Sequence, residues 1–321
     1  MCDQYNFNHA SRNEGALMHG AGSFAGGDAK TTRRVVEEML DATMSEEFRH
    51  FDLHVDGGAA VREGNREWPA YLAAHRHEYV RTICDVLEFS HRTGAKRVLE
   101  IGVFFGLVCI TLQKFGLEVV AADIPEYMEM PEQVERFQRN GVARASVRLQ
   151  DFVMPFEDER FDVIIMTEVL EHLNFNPVPL LKEINRVGAK GSLFYLSLPN
   201  LAYYMHRLRF LFGKSMHQSI DSYFEQVKPG SLEIVNGHWR EYTRAEIVDL
   251  LSQLGYTIHK HYFFSVVDVK PNPTPKNRLT KFVFSLIPSF KENQTTLAIR
   301  SERCKLSIHI PQTVHDTLRS V

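Results

Sequence analysis

Apolar positions along this chain fall into short runs and helix-spaced stripes that alternate in a regular order. Val98, Leu99 and Ile101 make a run that breaks at Gly102 and Gly106, and a helix-length apolar stretch then reaches Phe115 and stops at Gly116. A second run starts at Glu118 and ends on Asp123. Short apolar runs bounded by turn residues read as buried strands, so this segment predicts strand, turn, helix and strand with an acid at the tip of the second strand. Further strands are predicted at Phe161 to Met166, Leu193 to Leu198, Tyr256 to Val266 and Thr295 to Arg300. Helices are predicted from Arg33 to about Met44 with Thr31 or Thr32 as cap, from Pro69 to Arg92 ending near Gly94, from Arg244 to Leu254 closed by Gly255, and through Leu279 to Leu286. This order predicts an α/β, Rossmann-like doubly wound sheet whose last two strands are antiparallel.

Composition narrows the class. Residues 1–30 are rich in Gly, Asn, Ser and Ala without periodicity and predict a mobile tail. The helices in 31–96 then form an N-terminal cover, 97–300 the main domain with an insertion at 201–240, and 301–321 a C-terminal extension. A hydrophobic fraction of 44% is ordinary for a globular chain of 321 residues, and no apolar run approaches the roughly 20 residues of a membrane span. The four cysteines, Cys2, Cys84, Cys109 and Cys304, are far apart, which argues against a zinc cluster or a disulfide framework. The polar N-terminus lacks a secretory signal, and a cytoplasmic location is expected. A net charge of −3 makes a nucleic-acid partner unfavoured.

The glycine turn carries the first chemistry. Its glycines let a ligand approach the backbone, and an acid at the next strand tip accepts hydrogen bonds from ribose hydroxyls. A dinucleotide site would show G-x-G-x-x-G, placing a pyrophosphate on a helix N-terminus. Here Phe104 stands where the middle glycine is expected, and Glu100 and Asp123 would repel a pyrophosphate while suiting a ligand with a cationic end and a free ribose.

In these residues the sequence resembles the class I S-adenosylmethionine-dependent methyltransferases of small-molecule type. The resemblance extends over about residues 97–300, through Val147 to Phe152, Phe161-Asp162-Val-Ile, Thr167-Glu168-Val-Leu-Glu171-His172, Pro199-Asn200 and Gly237-His238-Trp-Arg-Glu. It implies a seven-stranded sheet, S-adenosylmethionine as cofactor, and a cofactor site at Glu100, Gly102, Phe104, Gly106, Asp123, Ile124, Asp151, Phe152 and Glu168, with Asp151 on the adenine amino group. Pro199 and Asn200 follow the fifth strand, unlike the motif of amide-directed relatives, which disfavours DNA-base or protein-amide methylation.

Glu168, Glu171 and His172 would share one face if a helix began there. Two roles stay open. His172 or His238, with Glu171, can act as catalytic base. Alternatively Glu168, Glu171, His172 and His238 hold magnesium or manganese, similar to metal-assisted RNA ribose 2′-O-methyltransferases. In Leu201 to Lys214, aromatic and basic residues interleave, in a wording similar to bacterial methyltransferases of surface-glycan and methionine-related pathways. This predicted lid reads as an amphipathic cover on the core, an acceptor pocket, or a surface for peripheral contact with a membrane-bound carrier. The expected function is O-methylation of a small-molecule acceptor, a sugar or glycan precursor or a secondary metabolite. Alternatives are RNA ribose methylation and a non-catalytic cofactor-binding partner subunit.

Overall fold

The computed structural model describes residues 29–49, 72–217, 237–265 and 274–307, with a few positions between 218 and 236. The predicted tail up to residue 28, the helix start at Pro69, the end of the strand at Val266 and most of the C-terminal extension lie outside the described residues, while Ala29 and Lys30 of that tail are helical. In chain order the elements are α1 (Ala29–Arg49), α2 (Arg76–Thr93), β1 (Arg97–Ile101), α3 (Leu107–Lys114), β2 (Glu118–Asp123), α4 (Pro125–Met128), α5 (Pro131–Arg139) and β3 (Ala143–Ser146). There follow β4 (Phe161–Thr167), α6 (Val178–Val187), β5 (Gly188–Pro199), α7 (Tyr204–Leu211), α8 (Arg244–Gln253), β6 (Tyr256–Phe264), α9 (Pro275–Leu286) and β7 (Asn293–Arg300).

The strands form one sheet in the order β3-β2-β1-β4-β5-β7-β6. β1 to β5 pair in parallel, and β7 lies antiparallel between β5 and β6. The chain leaves β1 towards β2 and β3 and then returns to the other side of β1 with β4, so the order reverses between β1 and β4. Ligands of open α/β sheets bind at such a reversal, beyond the carboxyl ends of the strands.

Side chains alternate across the strands between two cores. Val98, Val163, Ile165, Leu193 and Tyr195 join α1, α2 and α3 on one face. Leu99, Ile164, Met166, Phe194 and Leu196 join α6 and α8 on the other. Both faces being covered is why these strands read as continuous apolar runs.

Three helix boundaries differ from expectation. α1 begins at Ala29, so Thr31 and Thr32 lie inside it rather than capping it. The Val36, Leu40 and Met44 stripe is buried, and packing extends the helix to Arg49 beyond the predicted end. α9 begins at Pro275, where Thr274 accepts from the Asn277 amide and proline supplies the first helical position. At α8, Thr243 and Glu246 form a reciprocal cap, and Gly255 follows in a left-handed conformation. Among the described residues no helix is long and apolar enough to cross a membrane.

Candidate active site

The turn after β1 is shaped by close contacts. Gly102 and Gly106 have φ of 76° and 73°. A Cβ on Gly102 would lie 2.2 Å from a Val169 methyl, and one on Gly106 2.5 Å from the Phe137 ring. Phe104, between them, also has a positive φ, 49°, which costs a bulky residue on the order of 1–3 kcal/mol. The strain is held from both sides: the Phe104 amide donates to Asp123 Oδ2 at 3.0 Å and Gln133 Nε2 donates to the Phe104 carbonyl at 2.7 Å. The Ile124 amide donates to Asp123 Oδ1 at 2.7 Å. Each Asp123 oxygen therefore keeps a lone pair for a ligand hydroxyl.

A cavity of about 1200 Å³ opens at this edge, lined by Glu100, Gly102, Phe104, Gly106, Asp123 and Ile124 from the turn and by Glu168, His172 and His238 across from it. Burial pushes the Glu100 carboxyl up to about 8 against hydrogen bonding from Cys109, with the Asp123 charge adding to the rise. Burial also raises Asp123, opposed by the Phe104 and Ile124 amides. Glu168 is raised by burial and then by the neighbouring Glu171. One buried Glu100 oxygen has no hydrogen-bond partner, and among the described residues none of these three carboxylates pairs with lysine or arginine. Such a wall fits a ligand with hydroxyls at one point and positive charge at another, as in S-adenosylmethionine.

A family model described as a methyltransferase domain matches residues 72–261. The chain belongs to that family. It is a class I S-adenosylmethionine-dependent methyltransferase. Among solved structures it is similar in fold to an S-adenosylmethionine-dependent methyltransferase from Archaeoglobus fulgidus, at 14% identity and TM-score 0.46, over 72% of this chain and 99% of that one. It is also similar to magnesium protoporphyrin IX methyltransferase from Synechocystis, at 16% identity and TM-score 0.47, over 71% and 86%. A Mesorhizobium loti methyltransferase matches at 16% identity and TM-score 0.43, over 77% and 100%. No curated protein matches the chain significantly.

Opposite the methyltransferase's glycine turn, the expected helix with Glu168, Glu171 and His172 on one face does not form. Glu168 takes a left-handed φ of 54°, and only a short turn, Leu170–His172, follows. The shared face is replaced by a tertiary contact. The Trp239 amide donates to the Glu171 carbonyl at 2.8 Å, and His172 Nδ1 lies 3.3 Å from the Gly237 carbonyl. These bonds bring the His172 and His238 rings to 4.9 Å. Glu171, His172 and His238 each offer a ligand atom, all within 4.8 Å of one another, and Glu168 is outside that group. Both Glu171 carboxyl oxygens are buried without a hydrogen-bond partner. His238 Nδ1 is 3.2 Å from Glu241 Oε1, and this hydrogen bond raises the imidazole's pKa against burial.

Two other segments singled out in the sequence lie away from the cavity lining. Asp151 and Phe152 do not line the cavity: a turn at Leu149–Asp151 ends with Phe152 at φ 56°, which leaves Asp151 exposed and packs Phe152 against Phe175 at 5.4 Å. Leu149 and Gln150 line it instead. None of the described residues from 201 to 217 lines the cavity, and the side chains of α7 are half-buried or exposed.

The sequence did not point to Glu78, Thr82, Tyr195, Ser197 and Phe264, which complete the wall from α2, β5 and β6. No local signal marks them. Glu241 was legible in principle, since it follows His238 by three residues in the segment already singled out.

Proposed function

We propose that this methyltransferase O-methylates a small hydroxylated acceptor, of the sugar, glycan-precursor or secondary-metabolite class, with His238 as general base. The observation that supports the reading is the His238–Glu241 pair in the wall of a cavity that also holds the Glu100 and Asp123 carboxylates. A volume of about 1200 Å³ exceeds the roughly 300–1,000 Å³ of a single-ligand pocket, leaving space for cofactor and acceptor together.

S-adenosylmethionine, when bound, supplies an electrophilic methyl group with its own leaving group. The protein then binds, aligns and deprotonates. Asp123 would accept the ribose hydroxyls, and Glu100 would meet the cofactor's positive end. With Nδ1–H donating to Glu241, His238 Nε2 carries the lone pair that takes the acceptor's hydroxyl proton. Tyr195, Ser197 and Thr82 offer hydroxyls that orient a polyhydroxylated acceptor, and Phe264 offers an apolar wall.

The test is S-adenosylhomocysteine release from a panel of hydroxylated metabolites. With the acceptor so found, His238→Ala should lower kcat about 10²- to 10⁴-fold with cofactor affinity retained. Full activity in that variant would remove the base from the reaction.

The compact Glu171, His172 and His238 group favours a second reading, in which these residues hold magnesium or manganese. Carboxylate and imidazole donors suit such ions, and the chemistry supplied would be a lowered pKa of the acceptor hydroxyl, as on an RNA ribose. Manganese titration followed by electron paramagnetic resonance decides it: a bound signal lost in Glu171→Gln supports the metal, and no bound signal leaves the base.

A further inference from the structure

α7 and α9 leave much of their apolar surface outside the core: Phe284 of α9 is buried, but most of their other apolar side chains face solvent. On α7, Phe210 and Leu211 are 57% and 76% exposed, and Phe212, just beyond it, 73%. On α9, Leu279 and Leu286, two turns apart on one face, are 65% and 66% exposed, followed by Ile287 at 42%. A helix in a globular protein normally buries such a stripe. Exposed apolar groups of this size clustered together mark an interaction surface.

The two helices form one surface. Tyr204 packs its ring against Phe284 at 5.5 Å and Phe290 at 6.5 Å. The Arg207 guanidinium donates to Ser289 Oγ at 3.1 Å and lies 4.9 Å from the Phe290 ring centroid. These contacts use the inner sides of both helices and leave the outer sides to solvent. α7 follows the carboxyl end of β5 and α9 follows β6, which begins and ends in the same direction, so the surface sits at the sheet edge where the cavity opens.

Charge decides the occupant. Residues 203–217 and 274–291 contain seven lysines and arginines and no aspartate or glutamate, in a chain of net charge −3. Two copies of this face would meet positive against positive, which disfavours self-association. An anionic bilayer matches both features: basic side chains reach the headgroups while Phe210, Leu211, Phe212 and Leu286 enter the acyl boundary. We propose that α7 and α9 form a docking surface for an anionic phospholipid membrane, holding the cavity at the bilayer surface.

The test is flotation of the purified full chain with phosphatidylcholine vesicles, with and without phosphatidylglycerol. Binding is expected on the phosphatidylglycerol vesicles and should weaken as salt is raised. Each of Lys276→Gln and Arg278→Gln should lower partitioning about fivefold, the factor corresponding to about 1 kcal/mol per basic residue. A Leu211→Ser, Phe212→Ser double variant should lose about tenfold or more. S-adenosylhomocysteine affinity and thermal unfolding, measured on the same variants, should match the parent and show that the fold is intact. Failure of the parent chain to float with phosphatidylglycerol, equal binding to both vesicle types, or variants that bind like the parent would overturn the proposal. So would a dimer in sedimentation that Leu211→Ser dissociates, because the face would then belong to a second copy. None of these outcomes depends on the acceptor, so the proposal and the reading of the active site fail separately.

Discussion

Phe104 is the clearest case of a residue held against its preference. Its left-handed backbone is fixed by Asp123 on one side and Gln133 on the other, so the carboxylate proposed to meet the ribose also shapes the turn. Asp123→Ala should weaken S-adenosylhomocysteine binding by about 1.5–3 kcal/mol, the range for charged-acceptor hydrogen bonds. Calorimetry showing unchanged affinity would place the ribose elsewhere. Glu100 titrates at about 8 in the free protein because it is buried. A bound cation favours its ionised form and lowers that value, so cofactor binding at pH 7 should release a proton. Binding enthalpies compared in buffers of different ionisation heat measure this, and Glu100→Gln should abolish the release. At the opposite wall, His238 is a base only when neutral, and Glu241 raises its pKa. The rise of kcat/KM with pH should therefore lie above the ordinary histidine value of about 6.5. Glu241→Gln should move that rise to lower pH, and a profile indifferent to this change would separate Glu241 from His238.

Among the elements, α6 is fastened to its neighbours on the same face of the sheet through one side-chain amide. Asn185 Nδ2 donates to the Leu254 carbonyl at 2.9 Å and the Glu302 carbonyl at 3.2 Å, and its Oδ1 accepts from the Cys304 amide at 2.8 Å. It thereby joins α6 to the end of α8 and to the segment after β7. Asn185→Leu should cost about 2–4 kcal/mol in denaturant unfolding, since two carbonyls and an amide lose their partner in a buried site. A loss below about 0.5 kcal/mol, typical of surface changes, would mean that these groups find other partners. The site elements are built differently. α2 packs its Val80, Ile83 and Val86 stripe into the core and presents Glu78, Arg81 and Thr82 to the cavity. The same helix thus serves as cover and as wall.

At the scale of the molecule, the cavity is assembled from β1, β2, β4, β5, β6 and α2, so a ligand there should stabilise the whole chain. At about a hundredfold excess over its dissociation constant, S-adenosylhomocysteine should add about 2.7 kcal/mol. Thermal unfolding should shift upward, and amide exchange should slow at 72–82, 100–106 and 123–127 together. Protection confined to the glycine turn would mean that α2 takes no part in closing the site.

The succession of strands and helices, the turn at Gly102 and Gly106 and the acid at Asp123 could be read along the chain, because these rest on local signals: apolar runs, glycines that accept positive φ, and a strand-tip position. The sequence also brought His172 and His238 into consideration. How they meet depends on contacts between distant segments. The backbone bond from Trp239 to Glu171 joins segments 68 residues apart, and no periodicity records such a bond. Asp151 turned outward because Phe152 adopts a left-handed conformation that its residue type does not announce. The fate of Leu201 to Lys214 was equally hidden. Aromatic residues at helical spacing look the same whether they face a core or solvent, and that choice depends on which surfaces the rest of the chain leaves for them.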